Sequence, residues 1–390
     1  MVVLPGLPQT DTLGQTDNSV KATGERVRLA AVDIVRGYAM LAMLIVHAAW
    51  RFPGVDFRLT YGWDHATSPP FSGSLGVQQV IALILQMASP TFMLLSGFGL
   101  ALFTLSRIER GWSVARVSRY MLTRGAVLII LDLGVLSWDL PPGVYFHTFS
   151  YAVLTSIGLC LMAMALLHRL SLSTLAGLAL LLMIITQAVY AVTPVPADSH
   201  MLRSLLLYPS PADPLEIGFP VLAWLPVMLL GYISGTLVKK HGVGLAWLTL
   251  RVALVSFAVW GLVELGSGFG RLNSGHPLVM TKHPPALDYL SFYMGVAFSL
   301  LYVHTRFAHM ATWRVFRWVA LLGQTALFFF VTHNFALAAA TAAVMALPVT
   351  LPAVAGLLLA AGLALIALYH AGVRYARLRR AHPRSVLQYL

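Results

Sequence analysis

The sequence has a single cysteine, Cys160, among 390 residues, and this scarcity excludes two common stabilising devices. One cysteine cannot close an intrachain disulfide, and it cannot supply a thiolate cluster for a structural zinc site. Histidine pairs with metal-ligand spacing, such as HxH or HExxH, are missing as well, so we expect no metal. Because Cys160 lies in an apolar run, we interpret it as a small buried hydrophobic residue.

Charged residues are also scarce, since they make up 10% of the chain whereas hydrophobic residues make up 58%. Soluble domains carry roughly a quarter of charged residues, so this composition is typical of an integral membrane protein. The apolar runs do not alternate with polar residues, as the strands of an outer-membrane barrel would, and they are rich in Leu, Ala and Gly. The sequence therefore predicts an all-α, polytopic membrane protein.

Ten apolar segments are long enough to cross a hydrocarbon core, which takes about 20 helical residues. They cover approximately residues 29–50, 77–105, 118–137, 146–168, 171–193, 217–238, 243–265, 285–305, 316–342 and 348–373. The polar residues 1–25 indicate a disordered cytoplasmic tail. We predict one membrane domain over residues 26–378 and a basic cytoplasmic tail over residues 379–390.

The net charge of +12 reflects where the basic residues lie along the chain. Most of the 26 Lys and Arg residues flank the predicted spans on the side that also holds both termini. Cytoplasmic loops carry this excess of positive charge, which also attracts anionic lipid. The pattern predicts cytoplasmic termini, a multi-pass protein of the cell inner membrane with lipid as a partner, and no nucleic-acid partner.

The first span, RLAAVDIVRGYAMLAMLIVHAAW, carries three ionisable residues at positions 33, 36 and 47. On a helix, Asp33, Arg36 and His47 fall within about 60° of one another, and Arg36 and His47 are about 16 Å apart along the axis. This polar stripe must face the protein interior, because ionisable groups are costly in lipid and usually mark a site or pathway. A structural Asp33–Arg36 pair that holds neighbouring helices together is the alternative.

The first outer loop, RFPGVDFRLTYGWDHATSPPFSGS, brings Trp63, Asp64 and His65 together among aromatic residues. Histidine is the natural general base near neutral pH, so His65 is a candidate proton acceptor. The alternative interpretation of His65 is an exposed loop residue without a catalytic role.

Five motifs give the sequence a resemblance to a known family. They are, in order, VDIVRGYAMLAMLIVH, SPTFMLLSGFGLALF, FPVLAWLPVMLLGYISG, KHPPALDYL and LGQTALFFFVTHNF. The series resembles the heparan-α-glucosaminide N-acetyltransferase catalytic-domain family and its bacterial relatives, within the transmembrane acyltransferase superfamily. Their order across residues 26–336 is more specific than any one of them.

The resemblance implies a catalytic histidine, and two positions compete for it. In the lysosomal enzyme the active-site histidine lies in the first lumenal loop before an alanine, and the similar position here is His65 in WDHA. The lysosomal enzyme has an asparagine where the first helix ends, whereas this sequence has His47, as the broader acyltransferases do. The base is therefore His65 or His47.

The resemblance further implies transfer of an acetyl (acyl) group from cytoplasmic acetyl-CoA (acyl-CoA) to a sugar or glycan amino or hydroxyl group on the periplasmic side. In this interpretation Arg36, Arg116, Arg119 and Arg124 bind the CoA phosphates, because guanidinium groups match phosphate oxygens. Asp33 fixes Arg36, and Trp63, Asp64, His333 and Asn334 contact substrate.

Two other functional classes stay open from the residues alone. A transporter or flippase for a polar or lipid-linked glycan solute would use the same polar stripe, but its inverted repeats and broken helices are not visible in the sequence. A structural scaffold would not need Arg36 inside a span. The sequence leaves the acceptor, the acyl chain and homo-oligomerisation undetermined.

Overall fold

The computed structural model describes residues 12–52, 60–61, 81, 83–136, 149–192, 201–209, 215–266, 280–382 and 385. Within these residues the chain is almost entirely helical, as the sequence predicts. The helices are α1 (Thr12–Arg51), α2 (Ala88–Glu109), α3 (Val114–Gly134), α4 (Val153–Leu167), α5 (Leu172–Val192), α6 (Met201–Leu206), α7 (Val221–Lys240), α8 (Leu245–Gly266), α9 (Leu287–Arg306), α10 (Arg314–Gln324), α11 (Ala326–Met345) and α12 (Ala353–Ala381), with a 3₁₀ turn at Ala308–Thr312.

Seven of the described helices are long and apolar enough to cross a membrane, namely α1, α2, α5, α7, α8, α11 and α12. Helix α4 is apolar but shorter. Each predicted span overlaps a helix, but the total of ten spans and the cytoplasmic position of the termini stay predictions. The division into tails and one domain is likewise a prediction, and α1 begins at Thr12, inside the predicted tail.

Two short parallel strand pairs connect loops at the helix ends. Strand β1 (Thr60–Tyr61) pairs with β4 (Met280–Thr281), and β2 (Phe149–Tyr151) pairs with β3 (Leu215–Ile217). The first pair joins the segment after α1 to the segment before α9. Because the sequence signal for two- and three-residue strands is weak, neither pair is predicted.

Close helix contacts are made where glycines remove the side chain. A Cβ atom on Gly97 of α2 would lie 2.0 Å from the carbonyl oxygen of Met228 in α7, and one on Gly231 of α7 would lie 2.0 Å from that of Leu94. Small residues allow membrane helices to approach in this way, and association then rests on close van der Waals packing. The α2–α7 pair therefore forms a tightly packed centre of the bundle.

The predicted span 316–342 is not one helix, because it divides into α10 and α11 at Thr325. Near this break a Cβ atom on Gly323 would lie 1.9 Å from the Asp33 carbonyl oxygen, so α10 presses directly on α1. The carbonyl oxygens of Gly323 and Gln324 accept hydrogen bonds from Arg36 and Arg379, both at 3.3 Å. Carbonyl groups at a helix end need such partners where water is scarce, so arginine donors stabilise the break.

The outer surface of the bundle is apolar on helices that bury few of their residues. Leu180 and Ile184 of α5 and Leu254, Val255 and Leu262 of α8 are all exposed. An apolar exposed surface of this extent on long helices fits contact with lipid, in which such side chains cost nothing to expose.

Candidate functional site

A cavity of about 330 Å³ lies among helices α1, α2, α3, α4, α11 and α12 and the break after α10. Its volume is at the lower end of the range for small-molecule pockets. Three arginines from three different helices line it, namely Arg36, Arg124 and Arg379. This cavity, called the arginine cavity below, is therefore strongly positive and suited to a polyanionic ligand.

Arg36 is held in place by α1 and by the break in the ninth predicted span. Its Nη1 atom lies 3.5 Å from Oδ1 of Asp33, one helical turn earlier, and 3.3 Å from the carbonyl oxygen of Gly323. The predicted Asp33–Arg36 pair is thus present in the structure. Since both residues are only partly buried and Arg36 lines the cavity, its guanidinium group can serve the pair and a ligand together.

Arg124 and Arg379 enter the cavity from α3 and α12. Arg124 donates through Nη1 to the hydroxyl oxygen of Tyr120 at 3.1 Å, and Arg379 donates through Nη2 to the Gln324 carbonyl. The sequence predicts a phosphate-binding role for Arg124 but assigns Arg379 to the basic tail. No local motif distinguishes Arg379 from the other arginines near the end of α12, so only the packing of that helix against the break identifies it.

An aromatic wall closes one side of the arginine cavity. Phe103 and Tyr120 stack with ring centroids 4.3 Å apart, and both line the cavity. Trp112 packs against both rings edge-on, and Arg107 and Arg116 lie over Trp112 at 4.8 and 4.1 Å. Offset stacking and cation–π contacts of this kind stabilise a rigid surface.

Two of the four arginines predicted to bind the donor lie elsewhere. Arg116 and Arg119 are exposed and are not among the residues that line the arginine cavity. Arg116 contacts Trp112 instead. Its backbone N–H donates to Oγ of Ser113 at 3.2 Å, and Ser113 thereby caps the start of α3. Their predicted phosphate contacts stay a prediction.

A histidine pair lies further along α1, where that helix faces α11. Nδ1 of His47 is 2.6 Å from Nε2 of His333 and 3.2 Å from Oδ1 of Asn334. Nδ1 of His333 is 2.5 Å from the carbonyl oxygen of Phe330. The sequence places His333 and Asn334 in the substrate site but does not anticipate direct contact with His47, because the two helices are almost 290 residues apart in the chain.

The arginine cavity and the histidine pair share a contact at Phe330. Phe92 and Phe330 line the cavity and form an edge-to-face pair with centroids 6.2 Å apart. Phe330 also contacts the His333 ring, with centroids 5.5 Å apart. On α1 the cavity is lined by Arg36 and Met40, so the lining follows the same helix that carries His47.

The segment before α9 brings a buried cation to the β1–β4 pair. Lys282 follows β4 and donates to Oε1 of Gln86 at 3.2 Å. Burial lowers the pKa of the Lys282 ammonium group to about 8. Strand β1 ends at Tyr61, four residues before His65. Trp63, Asp64 and His65 themselves lie outside the described residues.

Clustered histidines can also bind a metal ion. Among the residues that the structure describes, no group of three His, Cys, Asp or Glu side chains is arranged to hold one. His47 and His333 contact each other, the amide of Asn334 and the carbonyl of Phe330, which is a hydrogen-bonding arrangement.

A bundle of long apolar helices around a polar interior site defines a multi-pass helical membrane protein. The matching family model is that of the heparan-alpha-glucosaminide N-acetyltransferase catalytic domain, over residues 28–265. The match covers more than half of the chain, and the chain belongs to this family, which makes it a transmembrane acetyltransferase by class. The expectation from the five motifs is thereby confirmed. No curated protein matches the chain.

The matched residues include Arg36, His47 and Arg124 but end before the break at Thr325. His333, Asn334 and Arg379 therefore join the site through the fold alone. They are contributed by α11 and α12, which pack against each other and against α1.

Proposed function

We propose that the protein transfers an acetyl (acyl) group from cytoplasmic acyl-CoA to an amino or hydroxyl group of a sugar or glycan on the periplasmic side of the cell inner membrane. The observation that carries this proposal is the arginine cavity, which is lined by α1 and contacts the histidine pair through Phe330. Ten spans with both termini cytoplasmic are part of the same proposal. They would put the arginine cavity on the cytoplasmic side, where acyl-CoA is made.

The three arginines support binding of the CoA phosphates. A guanidinium group offers planar paired N–H donors that match phosphate oxygens, and three such groups converge from Arg36, Arg124 and Arg379. Two of them are already oriented by the carbonyl groups at the helix break. Preorganised donors lose less conformational entropy when the ligand binds, so this arrangement favours affinity.

The pantetheine arm would follow α1 from the arginine cavity to the histidines. Met40 lines the cavity, and His47 lies seven residues further on, which corresponds to about 10 Å along a helix. The Phe92–Phe330 pair lies on this route, where an extended, mostly apolar chain is easier to accommodate than a phosphate. The thioester would then reach the level of His47 while the nucleotide stays with the arginines.

His47 serves as the general base in this proposal. Its ring lies against a second histidine and an amide, a setting in which the proton can be held at a defined nitrogen. The acceptor N–H or O–H loses its proton to the base as its N or O atom attacks the thioester carbonyl. The C–S bond breaks, the protonated base gives its proton to the sulfur, and CoA leaves as the thiol.

The acceptor would approach through the outer loop. Trp63, Asp64 and His65 follow β1 within a few residues of the sequence, and this proposal assigns them, together with Lys282, to acceptor binding. The ammonium group of Lys282 adds positive charge at that end. His65 then contributes to acceptor binding.

The test is transfer of labelled acetyl from acetyl-CoA by the purified protein to a panel of amino sugars and glycans. Wild type should give labelled product, and His47→Ala should lower turnover by about 100-fold or more while acyl-CoA still binds. His65→Ala within about threefold of wild type assigns the base to His47. The opposite pattern would move that role to His65.

A transporter or flippase is the alternative function, but family membership favours the acyltransferase. The same assay separates the two. A transporter would move labelled solute across proteoliposomes and would leave acetyl-CoA intact, so unchanged acetyl-CoA with every acceptor would contradict the proposal.

A further inference from the structure

The proton positions of the histidine pair follow from the groups that each ring nitrogen faces. His333 is fully buried and contacts the rings of Phe329 and Phe330, and its Nδ1 atom is 2.5 Å from the Phe330 carbonyl oxygen. A carbonyl oxygen only accepts hydrogen bonds, so Nδ1 of His333 must carry a proton. A second proton would make a buried imidazolium among aromatic rings, which is costly. Nε2 of His333 therefore holds the lone pair.

This assignment fixes the partner ring. Nδ1 of His47 lies 2.6 Å from the His333 lone pair at Nε2 and 3.2 Å from the amide oxygen of Asn334. Both neighbours are acceptors, so Nδ1 of His47 must be the donor. In the neutral ring the lone pair of His47 is then at Nε2, which is the nitrogen that can take a proton.

We propose that His333 is a positioning residue, which holds His47 in its Nδ1–H tautomer through the Phe330 carbonyl and so makes Nε2 of His47 the proton acceptor. The proposal rests on the proposed function and deepens it. When Nε2 takes the proton of the attacking N–H or O–H group, the Nδ1–H bond to His333 becomes charge-assisted and stronger. Asn334 accepts from the same nitrogen, so it supports the same orientation.

This role differs from the substrate contact that the sequence suggests for His333. A fully buried side chain whose two nitrogens both face protein groups has no nitrogen left for a sugar. Its effect on the reaction therefore passes through His47.

The first test measures tautomers in the resting protein without any substrate. Nitrogen-15 chemical shifts of labelled histidines would be recorded for wild type in nanodiscs, and the His47 and His333 signals assigned by their loss in His47→Gln and His333→Gln. We expect the Nδ1–H tautomer for both rings near pH 7.5. A proton on Nε2 of His47 would overturn the inference. Because no acyl transfer is needed, this result stands even if the proposed function fails.

The second test uses three variants in the acetyl-transfer assay. His333→Phe keeps the ring volume but removes the acceptor, and its kcat should fall about tenfold to 100-fold, as is typical for partners that orient a reacting histidine, with KM for acetyl-CoA little changed. His333→Gln offers an oxygen acceptor and should recover part of kcat. His370→Gln, which changes an exposed histidine of α12, is the matched control and should behave as wild type.

The pH profile separates positioning from a merely structural role. Without the His333 acceptor, protonated His47 loses a charge-assisted hydrogen bond and is less stable. His47 then stays neutral to lower pH, so the acidic fall of kcat should occur at lower pH in His333→Phe than in wild type. An unchanged limb together with kcat within about threefold of wild type would overturn the inference. Absence of transfer by wild type with the expected tautomers would contradict the proposed function alone.

Discussion

Arg36 makes two contacts at once, and the single ammonium group of a lysine could not make both. It donates to Asp33 and to the Gly323 carbonyl, and its guanidinium group still lines the arginine cavity. A lysine has no planar fork, so Arg36→Lys should weaken acetyl-CoA binding about tenfold or more, which is about 1.4 kcal/mol. The measurement is a binding isotherm on purified protein.

Arg317→Lys is the matched control for Arg36→Lys, because Arg317 is exposed and does not line the cavity. It should bind acetyl-CoA as wild type does. Equal affinity in Arg36→Lys and wild type would remove the phosphate role and leave Arg36 as a structural partner of Asp33.

Lys282 should give the stability of the protein a recognisable pH dependence. Burial lowers its pKa to about 8 from an ordinary value of 10.5, so the unfolded chain binds this proton more tightly than the folded one. Stability should therefore rise as pH increases from about 8 to 10.5, whereas below pH 8 the full cost of the buried ammonium group is present and does not change with pH. Lys282→Gln, which keeps a donor for Gln86, should lose the effect.

The measurement for Lys282 is the apparent Tm in detergent at several values from pH 7 to pH 10. The Tm of wild type should increase relative to that of Lys282→Gln across the upper part of this range. A constant difference between the two proteins would show that Lys282 keeps an ordinary pKa in the fold.

At the scale of helices, the α2–α7 contact offers a pair of neighbouring glycines with opposite surroundings. An alanine at Gly97 would place Cβ 2.0 Å from the Met228 carbonyl oxygen, whereas one at Gly99 would meet only Nη2 of Arg36 at 3.7 Å. Gly97→Ala must push the helices apart and should cost about 1–3 kcal/mol. Gly99→Ala should fold normally.

Thermal unfolding and acetyl-CoA binding distinguish the two glycine variants. Gly97→Ala should lower the apparent Tm by several degrees, whereas Gly99→Ala should keep it and weaken binding severalfold, because Gly99 lines the arginine cavity. Equal Tm values for both variants would contradict the close packing of α2 and α7.

The helix break illustrates what a pattern of apolar residues can and cannot predict. Residues 316–342 are apolar enough on average to suggest one helix. The polar Gln324 and Thr325 after Gly323 are the only local signal. The break is stabilised by Arg36 and Arg379, which are distant in sequence, so its position depends on tertiary contacts.

For the whole molecule, the helical membrane class and the shared face of the ionisable residues of α1 could be predicted from the sequence. Helical spacing placed Asp33, Arg36 and His47 on one face of α1, because that geometry is local. The contact of His47 with His333 and the entry of Arg379 into the cavity could not be predicted, since each joins helices that are far apart in the chain.

The proposed topology is also testable on the intact molecule. Reporter tags at Met1 and Leu390 should both give a cytoplasmic signal, and a tag near Asp198 a periplasmic one. The expected result follows from the basic residues that flank the helices on one side. A periplasmic signal from either terminus would contradict ten spans.

The most direct test of the central claim is acetyl transfer across a sealed membrane. The protein would be reconstituted in proteoliposomes with labelled acetyl-CoA inside and a membrane-impermeant sugar acceptor outside. If the arginine cavity and the acceptor loop lie at opposite ends of α1, labelled product should form outside, and Arg124→Gln should reduce it because that change weakens donor binding. Product that forms only when donor and acceptor share one side of the membrane would contradict the account.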